Sequence, residues 1–380
     1  MAESLPETNI PTKALVVEKP GAPFVLQDVI LDEVRPNELL VEIKYAGLCH
    51  TDLVAQAGLM PFGSYPAVLG HEGAGIVRRL GPGLENSGLE IGDRVLLGYS
   101  SCLDCSACKA GRKGGCESIA MINFIGTRGA DDTSIRLASG EPVRGMFFGQ
   151  SSFKQLAIVD FRSVVKYDGA VEDLAFLAPL GCGYLTGAAT VLNVLRPKPT
   201  HSLAIFGVGA VGLCALMAAK SENLREVLAI DIVESKLEKA KSLGATRTID
   251  PRKHENVVMA IHEILPQGVD YIIDTTGLTS MLNDGIKALA HGGTLAIVGT
   301  PRPQEELSVG ALDMLIHCKT IVGVAGGFCN PQEYIPRLIK MFRAGHFPIE
   351  GLSTVYPPSK IQDAIQDMKS GKVIKPVLAW

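Results

Sequence analysis

The sequence lacks the features that mark nucleic-acid-binding, membrane-spanning or secreted proteins. Its 36 basic and 40 acidic residues give a formal net charge of −4, and no block of basic residues offers a surface for nucleic acid or an anionic membrane. No apolar run reaches the ~20 residues that a membrane-spanning helix needs. The N-terminal segment, MAESLPETNIPTKALVVEKP, lacks the charged-then-apolar pattern of a signal peptide. We therefore expect a cytoplasmic protein without nucleic-acid or membrane partners.

Internal repeats and low-complexity segments are also absent. The chain has 380 residues, of which 47% are apolar, so we expect two domains at ~100–200 residues per domain. Turn residues are dense up to about residue 165, and they separate short runs that are apolar or alternating. These runs, which predict a β-rich first domain, are KALVVE, LLVEIKYAG, AGIVRRLG and GDRVLLG.

Cysteine is the residue type with the clearest pattern. The chain has nine cysteines, and an odd number in a reducing compartment argues against a complete disulfide framework. Four of them lie in SCLDCSACKAGRKGGC: Cys102, Cys105, Cys108 and Cys116. Four thiolates complete the tetrahedral shell of zinc and leave no position for substrate, so this loop predicts a structural zinc site. Disulfides and four separately buried cysteines are the alternatives, and the polar surroundings disfavour the second.

A glycine-rich turn follows in HSLAIFGVGAVGLCALMAAK, residues 201–220. Gly207, Gly209 and Gly212 form the pattern G-x-G-x-x-G between an apolar strand and an apolar helix. That placement predicts a dinucleotide site, with the pyrophosphate at the helix N-terminus. The next strand, EVLAIDI, contains Asp231, whose carboxylate can bond the ribose hydroxyls and repel a 2′-phosphate. The sequence therefore favours NAD over NADP, while the alternative for Asp231 is a helix N-cap.

The segments after this turn continue the alternation of strands and helices. Apolar strands recur as ATRTID, VDYIID, GGTLAIVG and TIVGV, and helical stretches such as ESKLEKAKSL separate most of them. Six parallel strands with crossover helices predict a complete dinucleotide-binding fold.

Three further residues are candidate ligands of a second metal. Cys49 lies in GLCHTD, His71 in GHEGAG and Cys182 in LGCGYLTGAA. Together they would form a Cys2His site with an open fourth position, which is typical of catalytic zinc. Because these three residues lie so far apart in the chain, their spacing cannot show whether they meet in the folded protein. Taken singly, Cys49 could be a thiol at a strand end, His71 a core histidine and Cys182 a small buried hydrophobe.

The order of these motifs resembles that of the zinc-containing medium-chain dehydrogenase/reductase family, the alcohol dehydrogenases. The resemblance covers essentially the whole chain, from KALVVEKPG to GKVIKPVLAW. It implies an α/β protein in which a Rossmann doubly wound parallel sheet accompanies a GroES-like β-rich catalytic domain. The implied catalytic domain comprises residues 1–183 and 325–380, and the NAD-binding domain residues 184–324. Two zinc ions per chain, NAD and a homodimer or homotetramer are also implied.

The resemblance assigns catalytic roles position by position. Cys49, His71 and Cys182 match the ligands of the catalytic zinc, and the four-cysteine loop matches the structural zinc lobe. Glu72 matches a carboxylate that can approach the metal during ligand exchange. Asp52 matches the residue that orients the zinc-bound histidine.

The resemblance also implies a proton path and a set of cofactor contacts. Thr51 matches the hydroxyl that takes the alcohol proton, and His50 a residue that faces the pyrophosphate. Many liver-type members place a histidine at the end of the proton path, where this chain has Val54. His50, the nearest titratable side chain in sequence, could end the path here, and the alternative is that it only binds the pyrophosphate. The further cofactor positions are Thr186, Val211 and Val298 around the nicotinamide, Lys236 near the adenosine ribose and Lys375 near the phosphates.

The segment from 121 to 153 narrows the expected substrate. It resembles the corresponding region of aryl- (benzyl-) alcohol dehydrogenases, and Phe147, Phe148 and Met60 would suit an apolar slot for a flat substrate. Core or dimer packing is the alternative for these aromatic side chains. We expect NAD(H)-dependent interconversion of a primary aromatic or allylic alcohol and its aldehyde.

Two other functional classes stay open at this point. One is a biosynthetic aldehyde or ketone reductase that acts on an aromatic or polyketide-derived substrate. The other is a zinc-free member of the family, either a quinone or enoyl reductase or a binding protein such as a lens crystallin. Retention of all seven candidate zinc ligands argues against the zinc-free class.

Overall fold

The fold is that of a computed structural model, which describes residues 5–60, 63–128 and 132–380. The chain forms two compact units. The first contains the residues up to 182, with 330–336 and 349–380, and the second contains 183–329 and 337–348. The first break follows residue 182, one residue before the expected boundary, and the return to the first unit begins at residue 330 instead of 325. Residues 337–348, expected in the catalytic domain, belong to the second unit.

Short strands separated by turns form the first unit, as its turn-rich sequence predicts. These strands are β1 (Ile10–Val17), β2 (Val25–Leu31), β3 (Glu38–Gly47), β4 (Ala67–Val68), β5 (Gly73–Leu80), β6 (Arg94–Leu97), β7 (Ile135–Leu137), β8 (Pro142–Val143), β9 (Leu156–Asp160), β10 (Val164–Tyr167), β17 (Ser353–Tyr356) and β18 (Lys375–Ala379). Within the described residues they form a five-stranded sheet, β4-β1-β2-β7-β8, and a seven-stranded sheet, β10-β6-β5-β3-β18-β17, in which β9 also pairs with β3.

Helices in the first unit are short and lie between the strands. They are α1 (His50–Gln56), α2 (Ser106–Lys109), α3 (Ile119–Phe124), α4 (Leu174–Leu177) and α12 (Ile361–Ser370). Helix α1 begins directly after the central strand β3, and α2 and α3 lie within or just after the four-cysteine segment. The two candidate metal sites are therefore carried by loops and short helices at strand ends.

A parallel sheet with crossover helices forms the second unit. Its strands are β11 (Ser202–Phe206), β12 (Glu226–Ile230), β13 (Arg247–Ile249), β14 (Val269–Asp274), β15 (Leu289–Ile297) and β16 (Thr320–Gly323), and its helices are α5 (Gly183–Ala189), α6 (Ala210–Ser221), α7 (Glu234–Leu243), α8 (Val257–Ile264), α9 (Thr279–Ala288) and α10 (Ala311–Ile316). Helix α11 (Pro331–Arg343) begins in the first unit and ends in the second.

The strand order of this sheet is that of a dinucleotide-binding fold. Every pairing is parallel and the order is β13-β12-β11-β14-β15-β16. Strands β12 and β13 are added on one side of β11 and the later strands on the other, so the strand order reverses between β11 and β14. Strand β11 is buried along its whole length, as expected where helices cover both faces. Ligands of such sheets bind at the carboxyl ends of the strands beside this reversal. The predicted fold class is confirmed.

Within the described residues, no single helix is long and apolar enough to cross a membrane, although the bent pair Leu174–Gly181 and Gly183–Leu195 has the required length and composition.

One buried cation lies in the first unit away from both cysteine clusters. Lys154 is fully buried, and its Nζ donates a hydrogen bond of 2.9 Å to the Gly145 carbonyl oxygen. Burial, with a smaller contribution from the charge of Arg128, lowers the pKa of Lys154 to about 7. The unfolded chain therefore binds more protons than the folded protein between pH 7 and the ordinary lysine pKa of ~10.4.

This difference predicts a pH-dependent effect of Lys154→Met. Lys154 destabilises the fold increasingly as pH falls from about 10 to 7, and the full penalty persists below pH 7. Its removal should therefore raise the free energy of unfolding by roughly 3 kcal/mol more at pH 6.5 than at pH 9.5. Denaturant titrations at both pH values measure this difference in the free energy of unfolding. Lys13→Met, which replaces an exposed lysine, is the control. An equal effect of Lys154→Met at the two pH values would contradict the assignment.

Candidate active site

The pairing of β3 with β5 brings two candidate ligands together. The strands are antiparallel and Ala46 lies opposite Gly73, so the end of β3 meets the start of β5. Cys49 lies three residues after Ala46, and His71 lies two residues before Gly73. Register alone therefore places the two side chains in the same region.

Two glycines permit the close approach of the chain segments around these ligands. A Cβ added to Gly47 would lie 2.1 Å from Glu72 Oε2, and one added to Gly181 would lie 2.0 Å from the Leu97 carbonyl oxygen. Larger side chains would force these segments apart. The second glycine brings the following residue, Cys182, to the same place as the first two ligands.

Asp52 joins the parts of this site. Its side chain is fully buried in the first turn of α1. One carboxylate oxygen accepts from the backbone N–H of Cys49 at 2.9 Å. The other is 2.9 Å from His71 Nδ1 and accepts from the backbone N–H of Gly70 at 3.0 Å. This pairing fixes the tautomer in which Nδ1 carries the proton.

The other ring nitrogen, His71 Nε2, is buried and has no hydrogen-bond partner within the described residues. Its lone pair lies in a cluster in which ligand atoms of Cys49, His71, Glu72 and Cys182 are all within 4.8 Å of one another. The hydrogen bond between Cys49 and Cys182, with the charge of Lys375, holds the pKa of Cys49 well below its usual range, and the same hydrogen bond raises the pKa of Cys182. Without a metal, the pair therefore favours one thiolate, at Cys49.

This donor set fits a zinc ion. Two thiolates and one imidazole are common ligands of catalytic zinc, and the partner carboxylate on the second imidazole nitrogen is typical of such sites. A buried acceptor without a partner is costly, and a metal ion would satisfy it. The alternatives that treat Cys49, His71 and Cys182 as separate buried residues do not account for their convergence.

Glu72 and Lys375 form a buried ion pair beside the cluster. Lys375 Nζ donates to Glu72 Oε1 at 3.0 Å, to Oε2 at 2.9 Å and to the Leu48 carbonyl oxygen at 3.2 Å. Burial raises the pKa of Glu72 to about 7, against the opposing charge of Lys375. Lys375 therefore compensates the charge of Glu72. The expected contact of this lysine with cofactor phosphates stays a prediction.

The four cysteines of the loop also converge. The Sγ atoms of Cys102 and Cys108 are 3.9 Å apart, and those of Cys105 and Cys116 are 4.0 Å apart. A disulfide requires ~2.05 Å, whereas tetrahedral zinc with bonds of ~2.3 Å separates its sulfurs by ~3.8 Å. The four thiols are free, and hydrogen bonds from the backbone of Asp104 and Cys105 lower the pKa of Cys102 to about 6. The geometry fits zinc and not disulfides.

Two phenylalanines lie against the imidazole of His71. The Phe148 ring stacks on it at 4.5 Å between centroids, and the Phe147 ring meets it edge-on at 5.6 Å. Phe147 is fully buried, which argues against the expectation that it lines a substrate slot and assigns it to packing behind His71. Phe148 is 9% exposed and Met60 is half-buried, so both keep some accessible surface.

Helix α1 carries the two expected proton-path residues. Thr51 Oγ1 lies 3.8 Å from Cys49 Sγ, which places this hydroxyl beside the metal-ligand cluster. His50 is exposed at the first position of the helix.

The glycine turn in the second unit has the features that a pyrophosphate site needs. Gly207 has φ of +85°, and a Cβ there would lie 2.6 Å from Thr275 Oγ1. A Cβ on Gly212 would lie 2.0 Å from the Gly207 carbonyl oxygen, so this glycine lets α6 pack on β11. At Gly209 an added Cβ would meet no atom within 4 Å. The open space at the N-terminus of α6 fits a bound phosphate group.

Asp231 lies at the carboxyl end of β12 beside this turn. Its carboxylate accepts from the backbone N–H of Val208 and of Val233, each at 2.9 Å. The N-cap of α7 is Val233, and its side chain makes no capping bond. The helix N-cap alternative for Asp231 is therefore wrong, and its half-buried carboxylate is fixed at the edge of the sheet where a ribose would lie.

The remaining expected cofactor positions also lie in the second unit. Val211 is in the first turn of α6, and Val298 directly follows β15, so both are at the carboxyl edge of the sheet. Thr186 precedes Gly187, where an added Cβ would lie 2.0 Å from the Val211 carbonyl oxygen. Lys236 is in the first turn of α7.

Two buried amides were missed by the sequence analysis. Gln150 lies in FFGQSSF and Asn123 in MINFIG, and both side chains are fully buried and bonded to backbone groups near the cysteine clusters. The only sequence signal is a polar residue within an aromatic or apolar stretch. Such a residue is equally common in turns and at helix ends.

Comparison with known proteins agrees with this organisation. Residues 35–168 match the family model described as the alcohol dehydrogenase GroES-like domain, and residues 210–344 match the model described as zinc-binding dehydrogenase. Geraniol dehydrogenase of Castellaniella defragrans is 37% identical over 372 residues, which cover 98% of each chain.

Solved structures give the same result. An alcohol dehydrogenase zinc-binding domain protein from Burkholderia ambifaria superposes with a TM-score of 0.92 at 39% identity, covering 97% of this chain and 98% of the other. Benzyl alcohol dehydrogenase from Acinetobacter calcoaceticus superposes with a TM-score of 0.91 at 36% identity, covering 97% and 99%.

The four-cysteine geometry predicts the effect of Cys105→Ser. The variant should lose one zinc per chain and about 3 kcal/mol or more of stability, because binding of structural zinc is coupled to folding. Elemental analysis and thermal unfolding measure both quantities. Cys318→Ser, at an exposed cysteine outside both clusters, is the matched control. A Cys105→Ser protein with the zinc content and melting temperature of the wild type would contradict the site.

Proposed function

The chain belongs to the zinc-containing medium-chain dehydrogenase/reductase family, the alcohol dehydrogenases, and on this basis we propose that it interconverts a primary alcohol and its aldehyde with NAD(H) and two zinc ions per chain. The observation that carries this proposal is His71 Nε2, a buried acceptor without a partner that lies among two cysteines and a carboxylate. When bound there, zinc supplies Lewis-acid catalysis that lowers the pKa of an alcohol hydroxyl group. NAD supplies the acceptor for hydride.

The residues around this cluster have separable tasks. Asp52 holds the imidazole of His71 so that Nε2 points into the cluster. Thr51, whose hydroxyl lies 3.8 Å from Cys49 Sγ, can accept the alcohol proton. Val54 cannot carry that proton further, and the exposed His50 is the neighbouring titratable side chain. We assign His50 to the pyrophosphate, so that Thr51 accepts the alcohol proton while it gives its own hydroxyl proton to water.

Glu72 has a task that depends on Lys375. The ion pair keeps the carboxylate inside the cluster but compensates its charge, so Glu72 does not have to be a permanent ligand. Cys49, His71 and Cys182 would hold the zinc ion and leave room for substrate, and Glu72 is close enough to serve as an alternative ligand. This agrees with the role that the sequence comparison assigned to Glu72.

The proposed substrate is an aromatic or allylic primary alcohol. The two named relatives act, by their names, on geraniol and benzyl alcohol, both of which carry an unsaturated carbon next to the carbinol carbon. The ring of Phe148, which is only 9% exposed, stacks on His71 at 4.5 Å, and Phe124 packs edge-on against it at 5.3 Å. An apolar wall of this kind favours a flat unsaturated substrate over a small hydrophilic one.

We also propose that the protein forms a homo-oligomer. Helix α10 exposes Leu312, Leu315 and Ile316, which retain 68%, 74% and 57% of their surface. Val309 just before it is 39% exposed. Adjacent large apolar side chains at the surface are typical of protein–protein contacts.

A panel of alcohols and aldehydes tests the proposed reaction. With the zinc-loaded protein and NAD, kcat/KM for benzyl alcohol and geraniol should exceed that for ethanol by roughly 100-fold, because the larger substrates bury several additional apolar carbons. Nicotinamide absorbance follows the rate in both directions. Reduction of quinones or enones without any alcohol oxidation would identify a zinc-independent reductase and refute the proposal.

The position of Asp231 predicts the cofactor preference. Asp231→Gly should lower kcat/KM for NAD by roughly 10- to 100-fold, since bonds to a charged group contribute about 1.5–3 kcal/mol, and it should improve use of NADP. Steady-state kinetics with both cofactors measure the ratio of kcat/KM for NAD to kcat/KM for NADP. Glu234→Gln removes a nearby carboxylate that is paired with Lys253 and is the control. An unchanged ratio in Asp231→Gly would remove this residue from the ribose site.

A further inference from the structure

Gln150 holds the backbone on both sides of Glu72. Its Oε1 accepts from the Gly73 N–H at 2.9 Å, and its Nε2 donates to the His71 carbonyl oxygen at 3.0 Å. The second N–H of Nε2 donates to the Gly98 carbonyl oxygen at 3.1 Å. The side chain is fully buried, so water does not replace these bonds. Gln150 therefore ties the ligand-bearing segment to the end of β6.

Asn123 makes a similar set of bonds to Ser100, two residues after Gly98. Its Oδ1 accepts from the Ser100 N–H at 2.9 Å, and its Nδ2 donates to the Ser100 carbonyl oxygen at 2.9 Å. Nδ2 also donates to the Ile119 carbonyl oxygen at 2.8 Å, at the start of α3. Asn123 is fully buried as well, and Cys102 of the four-cysteine loop lies two residues beyond Ser100.

The segment Gly98–Ser100 is thus held from both sides by buried amides. On one side is the backbone of the proposed catalytic ligand His71, and on the other is the loop that carries the four cysteines. We propose that Gln150 and Asn123 are positioning residues that couple the two metal sites, so that an intact four-cysteine loop keeps His71 and Glu72 in place. This inference rests on the proposed occupancy of both sites by zinc.

Physical reasons favour coupling through this segment. Each amide uses both its oxygen and its nitrogen, so neither can shift without leaving a buried backbone group unsatisfied, at about 1–3 kcal/mol for each group. Gly98 also donates its own N–H to the Ser163 carbonyl oxygen at 2.8 Å, which limits its freedom to move alone. A displacement of the four-cysteine loop would therefore be transmitted to the His71 carbonyl group.

Zinc release to a chromogenic chelator tests the coupling. Wild-type protein should release two zinc ions per chain in separate phases, and the phase that parallels loss of activity belongs to the His71 site. Asn123→Leu touches none of the proposed ligands of that site, yet it should accelerate this phase roughly 10-fold, as supporting residues of metal sites commonly do. Gln150→Met should have a similar or larger effect, and the double variant should fall short of the product of the two.

Milder variants and a control keep the test decisive. If the first variants do not fold, Asn123→Ser and Gln150→Thr place a smaller polar group that cannot make both bonds, and the same acceleration is expected. Thr12→Val removes one buried bond, to the Leu156 N–H, away from both cysteine clusters. It should lower the melting temperature without changing release from the His71 site.

The outcomes separate the inference from the proposed function. A wild-type protein that holds fewer than two zinc ions contradicts the proposed function. Two zinc ions in the wild type, with unchanged release from the His71 site in the Asn123 and Gln150 variants, contradict the coupling alone. If zinc release from the His71 site is accelerated only as much as in Thr12→Val, the effect is general destabilisation, and the proposed coupling is overturned.

Discussion

The carboxylate of Asp52 is the contact on which the candidate active site depends. It accepts hydrogen bonds from the N–H groups of Cys49 and Gly70 and pairs with His71 Nδ1. One buried group thereby fixes a cysteine ligand at the start of α1 and a histidine ligand in front of β5. Without it, the end of β3 and the start of β5 would still pair, but the imidazole could rotate or change tautomer.

The rest of the site follows from close approach of backbone segments. Glycines at positions 47 and 181 let the chain pass within distances that any side chain would block. Lys375 closes the site from the C-terminal strand, and its charge compensates that of Glu72 in surroundings where an isolated carboxylate would be costly. The cluster around His71 is therefore formed by several distant segments that fold together, unlike the four-cysteine loop, which is one local motif.

Sequence predicted those parts that local patterns determine. The six parallel strands, the glycine turn and α7 follow from apolar runs, glycine spacing and helical periodicity. Resemblance to a family suggested that Cys49, His71 and Cys182 converge, which spacing could not show. Contacts that depend on tertiary register were not predictable: Lys375 and Glu72 are 303 residues apart, and Phe147 has the same character whether it packs behind a histidine or lines a pocket. The polar residue within an aromatic stretch is too weak a signal to identify Gln150, because a buried amide and an exposed turn residue look alike in sequence.

Zinc K-edge X-ray absorption on the purified protein tests the central claim most directly, because it reports the number and type of ligands without relying on activity. The account predicts two zinc ions per chain, one with four sulfur ligands from the loop and one with two sulfur ligands and an imidazole. Averaged over both ions, the first shell should contain three sulfurs per zinc. A single zinc with only sulfur ligands, or a spectrum without an imidazole contribution, would contradict the site built around His71.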